Sequence, residues 1–346
     1  MEVKLLLRAL VDERADLVRG LLLVLIFRPA AYLLPRSWIW PVALCFATLF
    51  VVLMADGRRL AREFGLIFGV SRSAALKLAI TSHAKRMNEF SLQQKMIART
   101  YRPFEVPVLL EASDEVRRII EGPGSFVLAQ AHFERGTAQA AVFNGANFDG
   151  RELFVVAVKV PRFVPMPHIW RIGLQLRQLT RASQAIRPKG MEFVYTGGAV
   201  TGLVEKLQHE RIMVSINVDA HWSRNRSSTL ERPFCGALKR SFSTGAAKLA
   251  RLANAPLMLA LPVFDAHPGQ VRLRMYGPYT SDAAIPEQRD TEISQKILDT
   301  IEREVGVRPC EYVLEIGAAR RWDNESHRWL QPPPVAMEVR APGVTS

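Results

Sequence analysis

The sequence predicts an α/β fold: a mixed, largely parallel sheet flanked by helices, preceded by an N-terminal membrane-anchoring helical segment. Three observations predict it. From about residue 105 onward, short apolar runs of strand length alternate with amphipathic stretches of helix length, the texture of a sheet covered on both faces. Residues 39–54, IWPVALCFATLFVVLM, carry no charge, and so long an apolar run suits a bilayer better than an ordinary soluble helix. Between the two, residues 57–100 read as amphipathic helix, with RRLAREFGLIFGVSRSAALKLAI broken near Gly69 and Ser71.

The elements follow in chain order. The start, KLLLRALVDERADLVRG, is amphipathic and runs into GLLLVLIF, an apolar stretch cut by Arg28, Pro29 and Pro35, which suits an interfacial or half-inserted helix. The 39–54 run falls just below the roughly 17 to 25 residues of a spanning helix, and Trp38 and Ala55 bring it to that threshold. Trp38 and Trp40 sit where interfacial aromatics belong, and Arg58, Arg59 and Arg62 argue for a cytoplasmic carboxyl-terminal flank. Charged residues precede the apolar part, which argues against a cleaved signal peptide; two buried core helices are the alternative. Strands are predicted at 125–130, 153–160, 192–196, 212–218, 257–263 and 271–277, with helices at 137–144, 167–181, 200–209, 244–253 and 290–305. The resulting division is 1–56, amphipathic and anchoring helices; 57–104, a helical connector; 105–330, the α/β domain; and 331–346, QPPPVAMEVRAPGVTS, a disordered tail.

Charge and cysteine usage bound the function. A formal net charge of +13, from 46 Lys and Arg against 33 Asp and Glu, implies a polyanionic partner. In a chain with an anchor, anionic lipid is favoured over nucleic acid. The three cysteines, Cys45, Cys235 and Cys310, form no CxxC or Cys/His cluster, so neither a disulfide framework nor a zinc site is indicated and no metal is expected. No GxGxxG, GxxxxGK[ST] or GxSxG occurs, which weakens dinucleotide, nucleotide and serine-hydrolase readings.

In sheets of this kind ligands gather beyond the carboxyl ends of the strands. His132 follows SFVLAQ, Asp219 follows IMVSINV, and Asp265 follows the strand at 257–263. After Asp219 comes a basic loop, then Arg232-Pro233-Phe234-Cys235-Gly236 as a turn, then a helix opening at SFSTGAA, which Ser243 or Thr244 can cap. Its free N–H groups suit a phosphate or a developing oxyanion.

These segments resemble the late acyltransferases of bacterial lipid A synthesis, the lauroyl and myristoyl transferases, within the wider glycerophosphate-acyltransferase-like superfamily. The resemblance rests on the 39–54 segment, His132-Phe133, Asp219, Pro233-Phe234 with Gly236, LARLANAP at 249–256, and Arg320-Arg321-Trp322, and it covers nearly the whole chain to about residue 323. Three departures stand out. Thr137 occupies the place of the family's acid after the histidine, Ala220 stands where the family has glutamine, and extra residues enter between Pro309 and Arg320.

The resemblance implies an acyltransferase in the bacterial inner membrane, its catalytic domain cytoplasmic on a single N-terminal anchor. It would move a fatty acyl chain from acyl carrier protein, or from coenzyme A, to the hydroxyl or amine of an anionic lipid or glycolipid. The acyl thioester is a co-substrate, and no other cofactor is implied. His132 is the general base, and a base needs an orienting acid. Thr137 supplies no charge, only a hydrogen bond or a helix cap, so Glu134 and Asp219 are the candidates for that acid. Phe133, Arg135, Thr137, Arg177, Arg232, Phe234 and Gly236 are the candidate substrate-binding residues, within a wider Arg-rich rim suited to phosphate. The alternative is a catalytically impaired lipid-binding or scaffolding homologue of the same fold.

Overall fold

The computed structural model describes residues 25, 28–97, 108–133, 150–157, 191–195, 200–219, 229–235, 238–264, 271–312, 321–323 and 328–330. The helices expected at 137–144 and 167–181, the amphipathic start at 4–20 and the tail at 331–346 lie outside these residues.

The amino-terminal helices are α1 (Arg28–Leu33), α2 (Arg36–Leu53), α3 (Ala55–Phe68) and α4 (Arg72–Ile97). The chain leaves α3 through Gly69 at φ +61°, a left-handed conformation that glycine adopts without a Cβ penalty; this is the break expected near Gly69 and Ser71. The apolar run does form a helix, but not a free one. Ala43 and Ala47 of α2 pack on Ala84 and Met87 of α4, and side chains this small let two helix backbones approach closely. The opposite side of α2 stays exposed and apolar at Trp38, Leu44, Leu49, Val52 and Leu53. Among the described residues no single helix is long and apolar enough to cross a membrane. Residues 37–53 and 57–68 meet that requirement only as a pair, bent by 87°. The bend is tight at Gly57, where a Cβ would lie 2.4 Å from the Val51 Cα.

Within the expected 105–330, the α/β domain opens on two elements that precede the first predicted strand, β1 (Val108–Glu111) and α5 (Asp114–Glu121). Ser113 caps α5 by accepting from the Val116 N–H, with Asp114 and Glu115 in the first turn. At the other end the buried Arg151 donates to the carbonyls of Ile120 at 2.6 Å and Gly124 at 2.9 Å, satisfying groups a helix terminus leaves open. Then follow β2 (Phe126–Gln130), β3 (Glu152–Ala157), β4 (Met191–Tyr195), α6 (Val200–His209) and β5 (Ile212–Asn217). The hairpin β6 (Thr229–Phe234) and β7 (Leu238–Ser243) leads into α7 (Gly245–Ala253), β8 (Leu257–Phe264), β9 (Val271–Tyr276), α8 (Pro286–Val307) and the small pair β10 (Arg321–Asp323) and β11 (Arg328–Leu330).

Among the described residues, seven strands form the main sheet in the order β1-β9-β8-β2-β5-β3-β4. Every neighbouring pair is parallel except β8 with β9. The sheet is therefore mixed and largely parallel, flanked by helices, as the sequence predicts. Alternation along the strands sorts the core into two layers. Val127, Ala129, Val214, Leu257 and Leu259 face helices α6, α7 and α8 and the α2–α4 elbow. Phe126, Leu128, Met213, Met258 and Leu273 face α5 and Leu92 of α4. Small residues let α7 settle on the first layer: Ala246, Ala247, Ala250 and Ala253 are all buried. Arg251 on its flank grips the buried Asp290 of α8 with two hydrogen bonds of 2.8 and 2.9 Å.

Candidate active site

Strands β2 and β5 pair with Phe126 opposite Met213 and Gln130 opposite Asn217. Carried two residues past the strand ends, the same register sets His132 opposite Asp219. The ladder does continue: the Val218 N–H donates to the Gln130 carbonyl at 2.9 Å. The His132 Nδ1 then lies 2.6 Å from Asp219 Oδ1, and the His132 backbone N–H donates to Asp219 Oδ2 at 2.7 Å. The carboxylate is thus held at both oxygens by one residue. Asp219 is completely buried, whereas the His132 side chain keeps 25% of its surface exposed. The imidazole is the face the pair presents to solvent.

Burial alone would push the Asp219 carboxyl up. The His132 ring, the two hydrogen bonds from His132 and a contribution from the Tyr312 hydroxyl outweigh it, holding the group below its ordinary value. An ionised Asp219 accepts from Nδ1–H and so fixes the tautomer whose lone pair is on Nε2. That nitrogen can take a proton from a substrate, and Asp219 stabilises the imidazolium that results. Among the described residues no group of three or more His, Cys, Asp or Glu converges as a metal ion would require.

Aromatic packing fixes the backbone around the pair. Phe133 forms an isolated antiparallel bridge with Tyr312, and their rings meet edge to face at 5.3 Å. Phe234 completes the cluster, 5.8 Å from Tyr312 and 5.3 Å from Phe242. All four rings are buried. Arg308 stacks over Phe133 at 5.2 Å and pairs with Glu304 and Glu311, each at 2.6 Å. Burial raises the Glu304 carboxyl, but the Tyr276 hydroxyl with Arg308 and Arg274 bring it below its ordinary value. A charged network on α8 therefore anchors the turn that carries Tyr312.

The segment read as an Arg-Pro-Phe turn is the end of β6 in a β-hairpin, and Thr244 makes no side-chain cap to α7. Ser243 Oγ accepts from the Gly245 N–H instead, at 3.1 Å. Arg232 turns toward α8, bonding Asp299 at 2.5 Å and pairing with Glu302, which also accepts from the Cys235 N–H. Cys235 has φ +53°, an unusual conformation for a residue with a Cβ, and the Glu302 bond helps hold it.

Of the residues singled out in the sequence, His132, Phe133, Asp219, Arg232 and Phe234 fall among those described. His132 and Asp219 make one unit, and Phe133 and Phe234 belong to the aromatic cluster behind it. Glu134, Arg135, Thr137, Arg177 and Gly236 lie outside the described residues. Three residues near the pair were not foreseen: Tyr312, Gln130 and Asn217. For the last two the signal was there, since FVLAQAHF and IMVSINVD each turn polar at alternate positions toward the carboxyl end. No known family model matches the sequence, and a search of the curated proteins finds no match either.

Proposed function

We propose that this protein is a membrane-associated acyltransferase that moves a fatty acyl chain from an acyl thioester to a lipid or glycolipid acceptor. The observation that carries the proposal is the His132–Asp219 pair, with a buried, ionised carboxylate on Nδ1 and Nε2 left for substrate. The resemblance to late acyltransferases and the position of the pair beyond the carboxyl ends of two parallel strands support it.

In this proposal the acceptor hydroxyl gives its proton to His132 Nε2 as its oxygen attacks the thioester carbonyl. Asp219 balances the imidazolium charge. The tetrahedral intermediate collapses with cleavage of the carbon–sulfur bond, and the departing thiolate takes the proton back from His132, leaving an ester and a free thiol. The step needs no nucleophile from the protein. Such a base contributes about 10² to 10⁴-fold.

The donor is acyl carrier protein or coenzyme A, and the setting is the cytoplasmic leaflet of the bacterial inner membrane. Exposed apolar side chains along α2, including Trp38, Leu49 and Leu53, support an anchor. The buried inner side of α2 and the 87° bend favour helices lying in the interface over one that spans. Acyl transfer from a panel of acyl carrier protein and coenzyme A thioesters into total membrane lipid tests the proposal, with His132→Ala as the control. Transfer by the wild type that His132→Ala abolishes is the expected result. A wild type no more active than His132→Ala with every donor would overturn it.

A further inference from the structure

The sheet face that bears the histidine changes character along its length. Reading toward the carboxyl ends of β2 and β5, the paired residues on that face are Phe126 with Met213, Leu128 with Ser215, Gln130 with Asn217, and then His132 with Asp219 one repeat further. The apolar core thus gives way to two amides before the catalytic pair begins. Successive pairs on one face are about 7 Å apart along the strands.

Both amides have unspent hydrogen-bonding capacity. Gln130 is 2% exposed, yet its Nε2 has no hydrogen-bond partner, and neither does the buried Oδ1 of Asn217. A buried polar atom left unbonded costs roughly 1 to 3 kcal/mol, so two of them side by side are not a neutral feature of a core. They offer one N–H donor and one carbonyl acceptor. A hydroxyl satisfies both, because it donates and accepts. An ammonium can only donate, and an ionised phosphate can only accept.

We infer that Gln130 and Asn217 form a hydroxyl-recognising pair that holds a second hydroxyl of the acceptor beside the one His132 deprotonates. The acceptor is therefore a polyol or sugar, not a simple amine or a lone alcohol. This inference rests on the acyltransferase proposal for the word acceptor, but the recognition itself is testable without catalysis. The amides act by binding and positioning. They take no part in the proton transfer.

The test compares three probes with one tail: 1-O-octylglycerol, 1-octanol and octylamine, bound to the full-length protein in a zwitterionic detergent without hydroxyls. Calorimetric titration and thermal unfolding are measured for the wild type, Gln130→Met and Asn217→Leu. The expected result is a preference of the wild type for the glycerol ether, reduced several-fold to about tenfold in each variant. Without ligand the variants should melt no lower than wild type, because each replaces an unbonded buried polar group by an apolar one of similar size. Three results would overturn the inference: no preference for the diol in the wild type, a preference that survives in both variants, or a lower melting temperature of both unliganded variants. Diol preference in a protein that transfers no acyl chain from any thioester leaves this site standing and removes the acyltransferase proposal instead.

Discussion

Replacing Asp219 by asparagine separates charge and hydrogen-bond pattern from shape. Both Asp219 oxygens are acceptors: Oδ1 at 2.6 Å from His132 Nδ1, Oδ2 at 2.7 Å from the His132 backbone nitrogen. A carboxamide has one acceptor and one donor. If its oxygen stays on the backbone N–H, its NH₂ donates to Nδ1 and drives the proton to Nε2, the wrong tautomer for a base. If it flips, two donors face each other in a fully buried site, at a cost of roughly 1 to 3 kcal/mol. In triad enzymes the tautomer error costs about 10⁴ in rate, or about 5.4 kcal/mol in barrier. Single-turnover acyl transfer is the assay, with His132→Ala as the floor, and Asp219→Asn should fall to within reach of that floor. A variant that keeps its rate within about tenfold of wild type would remove Asp219 from the orienting role. The same variant predicts a pH effect on stability. The folded-state value of Asp219 lies below the ordinary 3.8, so its contribution is present above pH 3.8 and is lost as the pH falls through the lower folded-state value. The stability gap between wild type and Asp219→Asn should therefore close on acidification below pH 3.8, as followed by urea unfolding.

Further outcomes are expected away from the pair. Arg232→Met should loosen the hairpin from α8 and cost about 1 to 3 kcal/mol, between the values for exposed and buried pairs, and a double-mutant cycle with Glu302→Gln should show strong coupling. Equal melting temperatures for wild type and Arg232→Met would contradict that. Gly57→Ala sets a methyl against the α2 backbone and should destabilise by about 1 to 3 kcal/mol in chemical unfolding; an unchanged midpoint would mean the elbow is not closed in solution. Burial pushes the Cys310 thiol up to about 11, so about a thousandth of it is thiolate at pH 8. A thiol reagent at that pH should label the exposed Cys45 first, and Cys45→Ser should remove the fast phase.

Much of the sheet was legible because its strands are short apolar runs whose alternation is local. IMVSIN and LMLALPVF need no long-range information, and α6 at 200–209 matches its pattern end to end. The partner of His132 was not decidable in the same way. Glu134 is near in sequence, whereas Asp219 meets His132 only through the register of two strands, which sequence separation hides. β6 was missed because Pro233 and Arg232 read as turn residues, although an edge hairpin tolerates proline. β1 and α5 were missed although the Ser113 cap was in plain view, since four residues of strand make a weak pattern. The apolar run of α2 suits a bilayer by composition, with buried core helices as the alternative, and composition alone does not separate the two. Its alanines at 43 and 47 are the positions where a protein neighbour takes the place of lipid.

The contact between Phe133 and Tyr312 has a consequence for how the protein is made. His132 and Asp219 emerge from the ribosome well before the turn that closes over them, and that turn is held by α8, late in the chain. A nascent chain carries both members of the pair while Phe133 and Phe234 still lack the tyrosine ring they pack against. Closure of the aromatic cluster behind the pair therefore waits on the synthesis of α8 and Tyr312. In the acyltransferase proposed above, this delay would keep half-built copies from spending thioester on water.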